Sequence, residues 1–147
     1  MYKRILVATD GSELSGKAVA HAIALAKVHG SELVALKVTH LRIDDHWDGQ
    51  IRRDAAEKAE QEKQRTDISQ AIVDAVKVSA TAVGVKATAI TEKSNFIADT
   101  VIEVADKQGC DLIVMASHGR RGLARVLLGS EAQHVLTHSH IPVLVLR

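Results

Sequence analysis

The 147 residues are enough for one domain, which at this length removes roughly 70% of its unfolded surface from water on folding. A composition of 46% apolar and 25% charged residues excludes wholesale disorder, collagen-like repeats and disulfide scaffolds. The net charge of +1 gives no ground for a general nucleic-acid or membrane-surface binder, so any anion site must be local.

The chain has one cysteine, Cys110, and so no internal disulfide; the segment after Met1 lacks a secretory pattern, which places the protein in the cytoplasm. No apolar run approaches the roughly 20 residues of a membrane helix. With only Tyr2, Trp47 and Phe96 as aromatics, the core must be built from Val, Ile, Leu and Ala, which suits a parallel sheet under helices.

Residues 4–9 (RILVAT) read as a first strand buried on both faces, stopped by Asp10-Gly11-Ser12. Apolar residues recur at helical spacing from Ser15 to His29, and Gly30 sits where a helix C-terminal glycine belongs. Residues 33–38 predict a second strand, followed by a polar loop over 40–49 that holds Trp47 and is expected to be flexible or partner-facing. Residues 51–67 carry five basic and five acidic side chains and predict the solvated start of a long helix ending near Gly84. Residues 85–90 alternate apolar and polar, the pattern of a strand at or near a sheet edge. A helix from Phe96 to Gly109, a strand over 111–115, a glycine-containing loop over 117–129, a helix over 130–139 and a strand over 142–146 complete the chain.

The order β-α-β-α-β-α-β-α-β predicts one α/β domain over 1–147: an open five-stranded parallel sheet with helices on both faces. Ligands of such folds bind beyond the carboxyl ends of the strands where the winding reverses, which selects the loops after strands one and four.

The second of these loops reads Ala116-Ser117-His118-Gly119-Arg120-Arg121-Gly122 and closes with Gly129-Ser130 at a helix start. Glycines admit backbone amides close to an anion, and a helix N-terminus carries about half a positive charge. Arg120, Arg121 and Arg125 could supply cations to outer phosphates. Neither the P-loop pattern nor GxGxxG is present.

On these residues the whole chain resembles the universal stress protein family of small cytoplasmic α/β domains, many of which bind ATP. The family motif Gly-x2-Gly-x9-Gly-(Ser/Thr) is matched by Gly119, Gly129 and Ser130, with Ala116 in place of the first glycine. The flanking strands 111–115 and 141–145 and the opening Ile5 to Ser12 also resemble the family. The resemblance implies a Rossmann-like strand order 3-2-1-4-5, Asp10 and the backbone of Val38 against adenine and ribose, and Met115 and Gly119 flanking the nucleotide. It also implies phosphates at Gly129 and Ser130. Thr9, Ala116, His118 and Arg120 complete the candidate nucleotide-binding set, His118 as a loop-positioning residue. At Ala116 an extended backbone would tolerate the methyl, whereas a positive φ would cost about 1 kcal/mol.

Ser130 with Gln133, and Asp10 with Glu13, also read as capping boxes. His134 and His138, one turn apart, have no identifiable third ligand, so no metal site is expected beyond ATP with or without Mg. Cys110 reads as a small, partly buried filler. Val143, Leu144, Val145 and Leu146 are apolar on both faces of a terminal strand that should sit at an edge, which predicts a homodimer through that strand; the resemblance implies the same.

The expected function is a nucleotide-dependent conformational switch in stress signalling, with partners unspecified and at most slow hydrolysis, because the loop after strand four has no acidic residue before Glu131. The alternatives are a nucleotide-free dimeric interaction module and a weak ATPase using Asp10 as a metal ligand.

Overall fold

The computed structural model describes residues 1–41, 55–119 and 128–147. Its elements follow the expected order: β1 (Arg4–Ala8), α1 (Glu13–His29), β2 (Glu32–Thr39), α2 (Ala55–Ala82), β3 (Ala87–Lys93), α3 (Ile97–Lys107), β4 (Leu112–Ala116), α4 (Ser130–His138) and β5 (Val143–Leu146). The five strands pair in parallel in the order β3-β2-β1-β4-β5. The alternating segment is therefore an edge strand, though it starts at Ala87 and runs on to Lys93. Most of the predicted loop 40–49, Trp47 included, lies outside the described residues.

Side chains alternate across the sheet, so each strand feeds two cores. Ile5, Val7, Leu33, Ala35, Val114 and Ala116 pack with Ala18, Ala22, Ala26 and Val73 of α1 and α2. Leu6, Val34, Leu36, Val38, Ile113 and Met115 pack with Ala98, Val101, Ala132 and Val135 of α3 and α4. Alanine at every fourth position of α1 presents a smooth buried stripe, which lets the helix lie close to the sheet. Gly30 closes α1 in the left-handed conformation, φ 69°, its amide on the Ala26 carbonyl.

At the opposite end from the carboxyl termini of the strands, charged groups tie the sheet together. Arg4 and Lys86 both bind Glu32, and the Asp111 carboxylate accepts the amides of Lys3 and Arg4. The hydrogen bond from Lys86, with that from Arg4, holds the Glu32 carboxyl below its ordinary range. Burial pushes Asp111 upward, but the amides of Lys3 and Arg4 outweigh it and leave that carboxyl lowered as well. Cys110 is buried beside them, and burial pushes its thiol up to about 11, the behaviour of an inert filler.

Candidate functional site

The winding reverses between β1 and β4, which are neighbours: α1 carries the chain from β1 to β2, and α4 carries it from β4 to β5 on the other side. The crevice of such a sheet opens here.

Its first wall is the turn after β1. Thr9 is buried, donates its amide to the Leu36 carbonyl, and accepts the Gly11 amide on its hydroxyl while that hydroxyl lies 3.0 Å from Ser15 Oγ. Thr9 thus braces the turn from beneath. The Asp10 carboxylate accepts the Ser12 amide through Oδ1, and Gly11 completes the turn at φ 78°. The N-cap of α1 is Ser12, whose Oγ accepts the Ser15 amide, not Asp10. The capping-box reading of Asp10 with Glu13 is therefore corrected: one carboxylate oxygen closes the local turn, and the other is directed across the crevice. A Cβ on Gly119 would come within 3.0 Å of Asp10 Oδ2, so the two loops meet at this point.

The second wall is Ser117 to Gly119 with the start of α4. Ser117, 1% exposed, is bonded on every side. Its amide reaches the Leu146 carbonyl at 2.7 Å, its carbonyl accepts the Gly129 amide at 2.7 Å, and its hydroxyl lies 2.8 Å from His118 Nδ1. The N-cap of α4 is Gly129, without a side-chain cap, and Ser130 is the first helical residue. The Ser130–Gln133 capping box is thus also corrected. Ser130 stands one position too far along to cap, because the chain approaches Ser117 so closely that a Cβ on Gly129 would lie 2.6 Å from the Ser117 carbonyl oxygen.

Two consequences follow for anion binding. The Gly129 amide is committed to Ser117, so the donors that α4 offers are those of its first turn, Ser130 to Ala132, which precede the first helical bond from Gln133 to the Gly129 carbonyl. The acid in that turn, Glu131, is drawn away from the crevice: its carboxylate accepts the Ala98 amide of α3 at 3.0 Å.

Val38 supplies the crevice with backbone. In a parallel strand, alternate residues turn both their amide and carbonyl to the same neighbour. Leu36 faces β1 and takes the Thr9 amide, while Thr39 faces β3 and takes the Ser94 amide. Val38 therefore faces the space beyond the end of β1, next to Asp10. Ala116 is the last residue of β4, in extended register with Leu146, and its methyl packs into the core shared with Ile5 and Leu33. The residue that departs from the glycine motif thus sits on ordinary backbone with its side chain out of the crevice. Met115 is buried in the opposite core.

Thr9, Asp10, Val38, Gly119 and Ser117, with Gly129 and Ser130, are therefore grouped at one end of the sheet. Arg120, Arg121 and Arg125 lie outside the described residues. Among the described residues no group of three or more His, Cys, Asp or Glu side chains is placed to hold a metal. His134 Nε2 pairs with Asp99 Oδ1 at 2.7 Å, and its ring stacks on His138 with centroids 4.0 Å apart. A groove of about 420 Å³ between α3 and the end of α4, lined by Phe96, Ile102 and His138 among others, is a different surface from the crevice. Ser12 and Ser117 were not singled out from the sequence; the pattern Asp-Gly-Ser before a helix could have pointed to Ser12, whereas the role of Ser117 depends on contacts 12 and 29 residues away.

The universal stress protein family model matches residues 1–147. The chain belongs to the universal stress protein family. Universal stress protein MJ0531 of Methanocaldococcus jannaschii is 35% identical, with 100% of this chain and 83% of the relative aligned. The solved structure of MJ0577 from the same organism superposes with a TM-score of 0.81 at 29% identity, covering 99% of this chain and 96% of that one. A universal stress protein solved in complex with cAMP shares the fold at a TM-score of 0.68 and 24% identity, covering 99% and 97%.

Proposed function

We propose that this universal stress protein binds an adenine nucleotide, ATP in the first instance, in the crevice between the loops after β1 and β4, and acts as a conformational switch in cytoplasmic stress signalling. The observation that carries the reading is the meeting of Asp10 with Gly119 across the switch point, beside the backbone of Val38 and the first turn of α4. The base and ribose lie between Val38 and Asp10, Met115 and Gly119 flank them, and the phosphates lie toward Ser130, with Arg120 as a cation for the outer ones. Thr9 and His118 shape the walls and Ala116 contributes backbone alone, none of them reacting. That the fold accommodates such a ligand is supported by analogy with the neighbour holding cAMP.

Where Mg accompanies ATP, Asp10 would be the carboxylate of the described crevice to hold it and the metal would neutralise phosphate charge. Glu131 is held by α3, so the described part of the crevice offers little to orient an attacking water, and hydrolysis is slow at most.

A second copy pairs along β5. Val143, Val145 and Leu146 are only partly covered and Leu144 is exposed, so antiparallel pairing about a two-fold axis would satisfy an open edge and cover apolar surface.

Thermal unfolding with and without ATP tests the reading. At 100 times its dissociation constant, ATP raises stability by about 2.7 kcal/mol, a rise of several degrees in Tm for a chain of this size. No shift at millimolar ATP, with or without Mg, would overturn it and favour the nucleotide-free module.

A further inference from the structure

The strand that borders the base end of the crevice is apolar from Leu33 to Val38 except at Lys37. Alternation places the stem of Lys37 on the α1 and α2 side of the sheet with Leu33 and Ala35, where it is half-buried. From there its Nζ donates to the Val38 carbonyl at 3.0 Å. That carbonyl belongs to the backbone edge facing the space beyond β1, so the ammonium stands where the crevice reads its ligand.

An amide beside a carbonyl on one strand edge offers one donor and one acceptor, which matches the ring nitrogen and 6-amino group on one edge of a 6-aminopurine. An ammonium carries three donors and no acceptor. Seated on the carbonyl in a charge-assisted bond, it takes one of that oxygen's two lone pairs from a 6-amino group and offers a donor that a 6-oxo group can use. A 6-amino ligand must share the carbonyl with Lys37 or displace it; a 6-oxo ligand need do neither.

We infer that Lys37 is a specificity-determining residue of the crevice, which narrows its preference for 6-aminopurine over 6-oxopurine nucleotides. This rests on the nucleotide reading above and goes beyond it by naming the residue that sets base selectivity.

The test is calorimetric titration of the full chain and of Lys37→Met with ATP and with inosine triphosphate, its 6-oxo counterpart. Methionine keeps an unbranched stem of similar volume and removes the charge. Lys37→Met is expected to bind ATP about tenfold tighter and inosine triphosphate no tighter, widening the ratio of the two about tenfold. Lys37→Gln, a neutral donor, should fall between, and it serves as the variant if Lys37→Met does not unfold cooperatively. An unchanged ratio in proteins that bind both nucleotides overturns the assignment to Lys37 alone. Failure of every protein to bind either nucleotide overturns the nucleotide reading and this inference with it.

Discussion

Gly129 has φ −66°, a conformation open to any residue, so its backbone angle does not confine the position to glycine. What confines it is the Ser117 carbonyl, 2.6 Å from where a methyl would stand, and a backbone atom cannot swing aside. Gly119 is different: its notional methyl meets only the Asp10 carboxylate at 3.0 Å, the end of a side chain that can rotate. Gly129→Ala is therefore expected to cost about 1–3 kcal/mol of stability in denaturant unfolding, as overpacking does, while Gly119→Ala should cost under about 1 kcal/mol and act chiefly on ATP affinity. Equal losses of stability in the two variants would refute this distinction. The same residues show the limit of a sequence reading of the site. The family motif that the sequence resembles picks out Gly119, Gly129 and Ser130, and they do lie together at one end of the sheet. The cap is nevertheless misassigned to Ser130, because the contact that makes Gly129 the N-cap comes from Ser117, and no local pattern encodes a neighbour brought in by tertiary packing. Lys37 was equally hidden: in sequence it is an interruption of a strand, and only the turn of its side chain onto the Val38 carbonyl gives it a place at the crevice.

Elements were more legible than contacts, for reasons of periodicity. β1 and β4 are buried on both faces and read as continuous apolar runs, β3 alternates because it is an edge, and Gly30 closes α1 at a left-handed angle that few other residues accept. The alternating segment 85–90 begins two residues before β3 and stops three short of its end, since Thr91-Glu92-Lys93 carries no apolar signal and is held as strand by pairing with Lys37 to Thr39. The other edge, β5, has no such polar disguise. If it pairs with a second copy, sedimentation should give twice the protomer mass, and Leu144→Lys, which puts a charge on its exposed side chain, should shift the species to monomer. Unchanged sedimentation of that variant, or a monomeric wild type at micromolar concentration, would remove the proposed interface.

For the molecule as a whole, the candidate crevice and the main polar network lie at opposite ends of the sheet. The crevice occupies the carboxyl ends of the strands, and the polar network of Arg4, Glu32, Lys86 and Asp111 ties the amino ends. Glu32 and Asp111 are both lowered by their partners, so their contribution is complete above the unfolded values near 4.5 and 3.8 and declines as pH falls through the lower folded values. Both groups are largely solvated, which keeps the effect modest. Stability measured in urea should therefore be flat from about pH 6 to 5 and fall below about pH 4. Asp111→Asn, which keeps one acceptor and loses the charge, should flatten that fall; an equally steep acid limb in the variant would show that Asp111 has no part in it.

The two 2.7 Å bonds of Ser117, to the Leu146 carbonyl and from the Gly129 amide, join the end of β4 to both β5 and the start of α4. One buried serine thus works as a rivet, holding the last strand and the first turn of α4 to the same point of backbone.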